Sequence, residues 1–165
     1  MPKTYATAES AQSIAEGLIP NYHPELATAR IMYCFVDKAS NKGGRELKGK
    51  ARKFSGFLEW ALESDFVLEI ALDKWNYLTE NQRTALIDHL LECCTGEEDE
   101  DTGDMAWKIR EPTIQEFSSV LHRQGAWNEG LQEFVAMAKG INIDEIVDQE
   151  EQLDASVLSQ GDSEG

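Results

Sequence analysis

A chain of 165 residues, 41% hydrophobic and with four Trp, has material for one packed domain and too little for two comfortable ones. No apolar run approaches the roughly 20 residues of a membrane span, and the opening MPKTYATAESAQ lacks the charged-then-apolar layout of a signal peptide. The net charge of −16 is concentrated in TGEEDEDTGD (95–104), with six acids, and in residues 141–165, with eight, neither holding a base; the rest is near neutral, with 17 acids against 15 bases, and offers no basic groove for nucleic acid.

In chain order, small and apolar residues at Ala8, Ala11, Ile14, Ala15, Leu18 and Ile19 predict a first helix, closed by Pro20. HPELATA (23–29) reads as a linker or helical turn, with His23 a loop residue. RIMYCFV (30–36) is β-branched and aromatic and predicts a strand. DKASNKGG (37–44) is a turn by composition. RELKGKARKF (45–54) predicts a second strand. Its basic cluster KGKARK (48–53) reads as a sheet face pairing with the acidic loop. GFLEWAL (56–62) predicts a short helix and DFVLEIAL (65–72) the clearest strand, with Phe66, Leu68 and Ile70 on one face and Val67 and Glu69 on the other.

Thr79 followed by Gln82 is a capping box, opening a helix over about Glu80–Cys94 that Thr95-Gly96 ends. After the acidic loop, MAWKIR (105–110) predicts a short strand, Thr113 with Glu116 a second capping box for a helix to Gln124, and WNEGLQEFVAMAKG (127–140) a last helix stopped by Gly140. Ile141 to Val147 could add a short packed element, and the rest of 141–165 reads as an acidic, disordered tail. The fold class is therefore α+β, a small, mostly antiparallel sheet packed by helices, as one domain over 1–140. The cysteines Cys34, Cys93 and Cys94 suit a reducing setting, so a cytoplasmic location is the expectation. Trp75, Tyr77, Trp107 and Trp127 read as core or rim aromatics. There is no GxSxG, P-loop or GxGxxG.

Several stretches together resemble the phage metallopeptidases, small zincin-like proteins. They are ARIMYCF, KGKARK, DFVLEIALDKWNYLTENQRTALIDH and QEFSSVLHRQGAW, and the resemblance spans roughly 8–135. It implies a minimal zincin-like domain with a His-Glu-x-x-His helix at LIDHLLECC (86–94). Two histidines four apart grip one Zn²⁺ from the same helix face, and the glutamate takes a proton from the metal-bound water. The resemblance also implies a later His-Asp pair.

The sequence departs from that pattern. His89 matches the first histidine, Leu90 stands where the glutamate belongs, and Cys93 replaces the second histidine. The later pair falls on Pro112 and Thr113. Glu92 lies about 60° from His89 around the helix axis and Cys93 about 40° to the other side, so a rearranged His89/Glu92/Cys93 metal site is sterically conceivable. His122 is a further imidazole on a later helix.

The expectation is a phage-encoded metallopeptidase-like protein with a degraded zinc site and no resident cofactor. It would act as a non-catalytic binding protein on a host or phage protein through the acidic loop 95–104, with no membrane or direct nucleic-acid contact. Two alternatives stand beside it: an active zinc peptidase using His89 and Cys93, and an acidic inhibitor that mimics nucleic acid.

Overall fold

Strand Phe66–Ala71 (β6) is the centre of the first part of the chain, and all six of its residues are buried. In this computed structural model, which describes residues 2–140, β6 lies between Ile31–Val36 (β2) and Gly49–Lys53 (β5), and Tyr5–Thr7 (β1) edges β2. The order β1-β2-β6-β5 has antiparallel pairs at both edges and a parallel pair, β2 with β6, at the centre. This is the small, mostly antiparallel α+β sheet expected from the sequence. The three-residue β1 is too short to carry a periodic signal and was not foreseen.

Alternation along β6 sorts the sheet into two faces. Phe66, Leu68 and Ile70 point into a core completed by Ala11, Ala15 and Leu18 of helix Glu9–Tyr22 (α1) and by Ile87, Leu90 and Leu91 of helix Glu80–Glu92 (α4). Pro20 does not close α1 as expected. It lies inside the helix, which runs on to Tyr22. A 3₁₀ turn at Pro24–Leu26 follows.

The opposite face carries Val67 and Glu69, and Glu69 is 4% exposed. Its carboxylate meets Arg52 at 2.8 Å and Lys50 at 3.7 Å, both on the neighbouring β5. Among the described residues, no ion pair joins the basic cluster to the acidic segment 95–104. Cross-strand register places Lys50 and Arg52 over a buried carboxylate instead.

The predicted turn and second strand, 37–54, form three strands: the hairpin Ser40–Lys42 (β3) with Arg45–Leu47 (β4), and then β5. Gly43 and Gly44 both have positive φ and make the hairpin's turn. Helix Phe57–Leu62 (α2) forms where expected but buries none of its residues; Phe57 and Trp60 stack at 5.8 Å on its surface. A short helix Leu72–Trp75 (α3) leads from β6 toward α4. Trp75 is buried, with Phe35 at 5.6 Å and the Arg83 guanidinium 5.0 Å above it.

Helix α4 starts on the predicted capping box: Thr79 accepts from the Gln82 N–H and Gln82 Oε1 accepts from the Thr79 N–H. Thr95-Gly96 does not end it in a loop. The chain passes after Cys93 into Cys94–Glu98 (β7), which pairs antiparallel with Met105–Ile109 (β8). The acidic stretch 95–104 is thus one arm and the tip of a β-hairpin. Trp107 of β8 is buried against Phe66, with ring centres 5.7 Å apart. Gly96 faces that indole so closely that a Cβ there would stand 2.4 Å from Trp107 Cε3.

The described residues fall into two units, one ending at Glu111 and one beginning at Pro112. The second unit begins with the irregular segment 112–117, then holds helices Ser118–Gln124 (α5) and Glu129–Lys139 (α6). The predicted capping box at Thr113 does not form. Glu116 instead accepts from the Phe117 N–H and the Trp127 indole N–H, which delays the helix to Ser118. Asn128 caps α6, and Gly140 ends it in the left-handed region as predicted. Trp127 and Tyr77 are exposed, unlike Trp75 and Trp107. The expectations for 141–165 lie outside the described residues.

Candidate functional site

The last turn of α4 holds the residues singled out in the sequence, and its helical geometry separates them. Leu90 is 1% exposed and packs in the core with Ile87 and Leu91. Gly49 of β5 makes the seat for it. A Cβ at Gly49 would stand 2.9 Å from Leu90 Cδ1. His89, one residue back, points about 100° away and is exposed. Cys93 is half-buried beyond the last helical turn.

Glu92 is exposed and engaged on both of its carboxylate oxygens. Oε1 pairs with the Arg110 guanidinium, and Oε2 lies 3.4 Å from His23 Nδ1. Arg110 also donates from Nε to the Glu92 carbonyl at 2.6 Å, a cation at a helix C-terminus where unpaired carbonyls gather. One turn earlier, Asp88 Oδ1 lies 2.6 Å from His23 Nε2. Asp88 and Glu92 share a helix face because they are four apart.

His23 is the residue the sequence reading missed. It is 1% exposed, not a surface loop residue, and it sits where α1 passes into the 3₁₀ turn. The lone signal available was its place before Pro24, which marks a boundary but says nothing of burial. The Asp88 and Glu92 spacing on α4 was visible, but its partner is 65 positions away from Asp88.

The donor set does not fit a zinc ion as the resemblance implies one. Among the described residues, no group of three His, Cys, Asp or Glu side chains is placed to hold a metal ion. Leu90 offers no proton acceptor and faces the core. The Glu92 carboxylate is paired with Arg110 and lies 3.4 Å from His23 Nδ1. Burial, then Glu111 and Glu92, push the Cys93 thiol up, and Arg110 only partly opposes them, whereas zinc takes the thiolate. Pro112 and Thr113 are exposed in an irregular stretch and bring no ligand. His122 lies on α5, in the second unit.

Next to this turn stands the hairpin. Glu97, Glu98, Asp99, Glu100, Asp101 and Asp104 are all exposed. The tip is ordered locally: Asp99 Oδ1 accepts from the Asp101 and Thr102 N–H groups, and Gly103 takes positive φ. Lys108 pairs with Glu97 at 3.1 Å across the two strands, in an exposed ion pair of little energetic weight. The remaining tip acids point to solvent.

No curated protein and no solved structure matches the chain. A family model does, over residues 3–139, most of the chain and the whole of the sheet, α4 and the hairpin. By that match the chain belongs to the family described as "Putative phage metallopeptidase".

Proposed function

We propose that this protein keeps a metallopeptidase scaffold and uses it to bind another protein rather than to hydrolyse one. The observation that carries the reading is Leu90. The position that supplies the general base in the His-Glu-x-x-His arrangement holds an aliphatic side chain packed against Gly49 and the core. A leucine there cannot accept a proton from water, and its burial means no carboxylate could stand there without desolvation.

The docking surface in this reading is the acidic hairpin tip beside α4. Six exposed carboxylates on a two-stranded arm favour a basic partner, a host protein or another phage protein. Electrostatic attraction would speed encounter and set orientation more than it would add affinity. Outside this hairpin and the acidic segment 141–165, the chain is near neutral, with 17 acids against 15 bases.

Two measurements test the reading. Incubation of the purified protein with a diverse peptide mixture, with and without zinc, should give no cleavage that a chelator stops; chelator-sensitive cleavage would sink it. A photo-crosslinking residue at Glu100 should capture a basic protein in infected cells. Capture should fade when Glu97, Glu98, Asp99, Asp101 and Asp104 become amides, and it should weaken as salt rises. If DNA displaces nothing from the captured partner, the nucleic-acid-mimic alternative falls. If crosslinking at Glu100 is indifferent to the amide changes, the hairpin is not the contact.

A further inference from the structure

We infer that Asp88, His23, Glu92 and Arg110 form a clamp built from protein groups alone, which fixes the root of the acidic hairpin to the end of α4, with His23 as its positioning residue. The inference goes beyond the docking reading and stands or falls without any partner.

The backbone of His23 is held on both sides: its N–H donates to Ile19 O at 2.9 Å, and its carbonyl accepts from the Leu26 N–H at 2.9 Å. The ring is buried with Nε2 2.6 Å from Asp88 and Nδ1 3.4 Å from Glu92. The Nδ1 contact is an ion-pair distance without hydrogen-bond alignment, so this buried nitrogen has no hydrogen-bond partner. A buried polar atom left so is costly, and Glu92 Oε2 is placed to accept from Nδ1 in the imidazolium form, with Nε2–H donating to Asp88.

Glu92 passes the constraint on. Its other oxygen pairs with Arg110, whose Nε holds the Glu92 carbonyl and whose backbone N–H donates to Cys93 O at 2.9 Å. Residues 92–93 lead directly into β7, and Arg110 directly follows β8. The clamp therefore grips both ends of the hairpin and ties them to the end of α1. A metal that recruited Glu92 would compete with the clamp for the same oxygens.

The test is site-resolved amide hydrogen exchange on the full chain, for the native protein, Glu92→Gln and His23→Asn, each with chelator and with added zinc. Glu92 is exposed, so Glu92→Gln keeps the fold and the test remains open even where His23→Asn unfolds. Expected is a rise of roughly tenfold in exchange at Arg110 and along β7 in Glu92→Gln, with Leu68 and Ile70 unchanged. Chelator and zinc should alter nothing. In the double variant the hairpin effect should be smaller than the sum of the two single effects.

Unchanged exchange at Arg110 would overturn the inference, as would an equal rise at Leu68 and Ile70, or additive single effects. So would protection by zinc or loss with chelator, which would make a metal the clamp. None of these outcomes bears on whether the hairpin docks a partner.

Discussion

The inward face of α4 buries Ile87, Leu90 and Leu91, while the outward face, a single residue step away, carries His89, Glu92 and Cys93 at or near the surface. The first face is governed by volume. Gly49 is bare so that Leu90 can sit on β5, and packed interiors respond to changes of a single methylene. The second face is governed by pairing. Its charges are set by His23 and Arg110, groups brought from distant parts of the chain. The His-Glu-x-x-His arrangement that the resemblance implies needs both faces to cooperate, with a carboxylate at position 90 serving a metal held from 89 and 93. Here they are separated, and the helix behaves as a core element with a polar outer seam.

The sharpest way to break that contrast is to put the carboxylate back. Leu90→Glu should destabilise the protein by roughly 3–5 kcal/mol, through lost packing and an unpaired buried charge. His89→Gln, on the exposed face, should stay within about 0.5 kcal/mol of the native protein. Urea denaturation followed by Trp fluorescence measures both. The damage in Leu90→Glu should lessen at low pH, where the new carboxyl is neutral. Equal midpoints for the two variants would mean that position 90 is not packed as described.

Next in size are the two glycines that neighbour large side chains. Gly96→Ala brings a Cβ within 2.4 Å of the Trp107 ring, and Gly49→Ala brings one within 2.9 Å of Leu90 Cδ1 and 3.0 Å of the Glu69 carbonyl. Overpacking of this kind costs about 1–3 kcal/mol. Gly96→Ala should cost more, because the rigid indole is itself packed on Phe66. Near-ultraviolet circular dichroism should show the Trp107 environment changing in Gly96→Ala and not in Gly49→Ala.

Much of this architecture is legible in the sequence where the signal is local. The apolar alternation of β6, the Thr79–Gln82 box and the left-handed stop at Gly140 each rest on residues within a few positions of one another. The candidate turn at 86–94 was legible for the same reason. What was not legible needed partners from afar. His23 reads as a loop residue until α1 and α4 are packed together, and KGKARK reads as a sheet face pairing with the acidic loop until register sets Lys50 and Arg52 over Glu69. The Thr113 box failed because Glu116 found Trp127, 11 residues on. Periodicity carries no information about which of two competing hydrogen-bond partners wins.

The pairing at the start of the two central strands, β2 and β6, offers a pH-dependent comparison. Asp65 is buried, which alone would raise its pKa. The hydrogen bonds from the Arg30 side chain and backbone, with the nearby charges of Arg30 and Lys53, outweigh this and hold it below the usual carboxylate range. Because the folded value is depressed, this stabilisation is fully present above the ordinary pKa of an unfolded Asp. It is lost as pH falls through the folded value. The gap in denaturation midpoint between the native protein and Asp65→Asn should therefore be constant at neutral pH and shrink in acid. A gap that widens in acid would show that Arg30 does not favour the ionised form.

The smallest effect should come from the hairpin tip. Its acids lie on exposed turns and strand ends, and their pairings, Glu97 with Lys108 included, are solvent-screened. Replacing Glu98, Glu100 and Asp104 by their amides should leave stability within about 0.5 kcal/mol, because no buried group loses a partner. It should even help slightly at low salt, where crowded like charges repel most. Asp99 is the informative exception, since its carboxylate accepts from the Asp101 and Thr102 N–H groups and so shapes the turn. Asp99→Ala should loosen the tip without touching the clamp at its root. If it instead lowers global stability as much as Gly96→Ala does, then tip and root are one cooperative element, and the separation drawn between the packed and paired parts of this region fails.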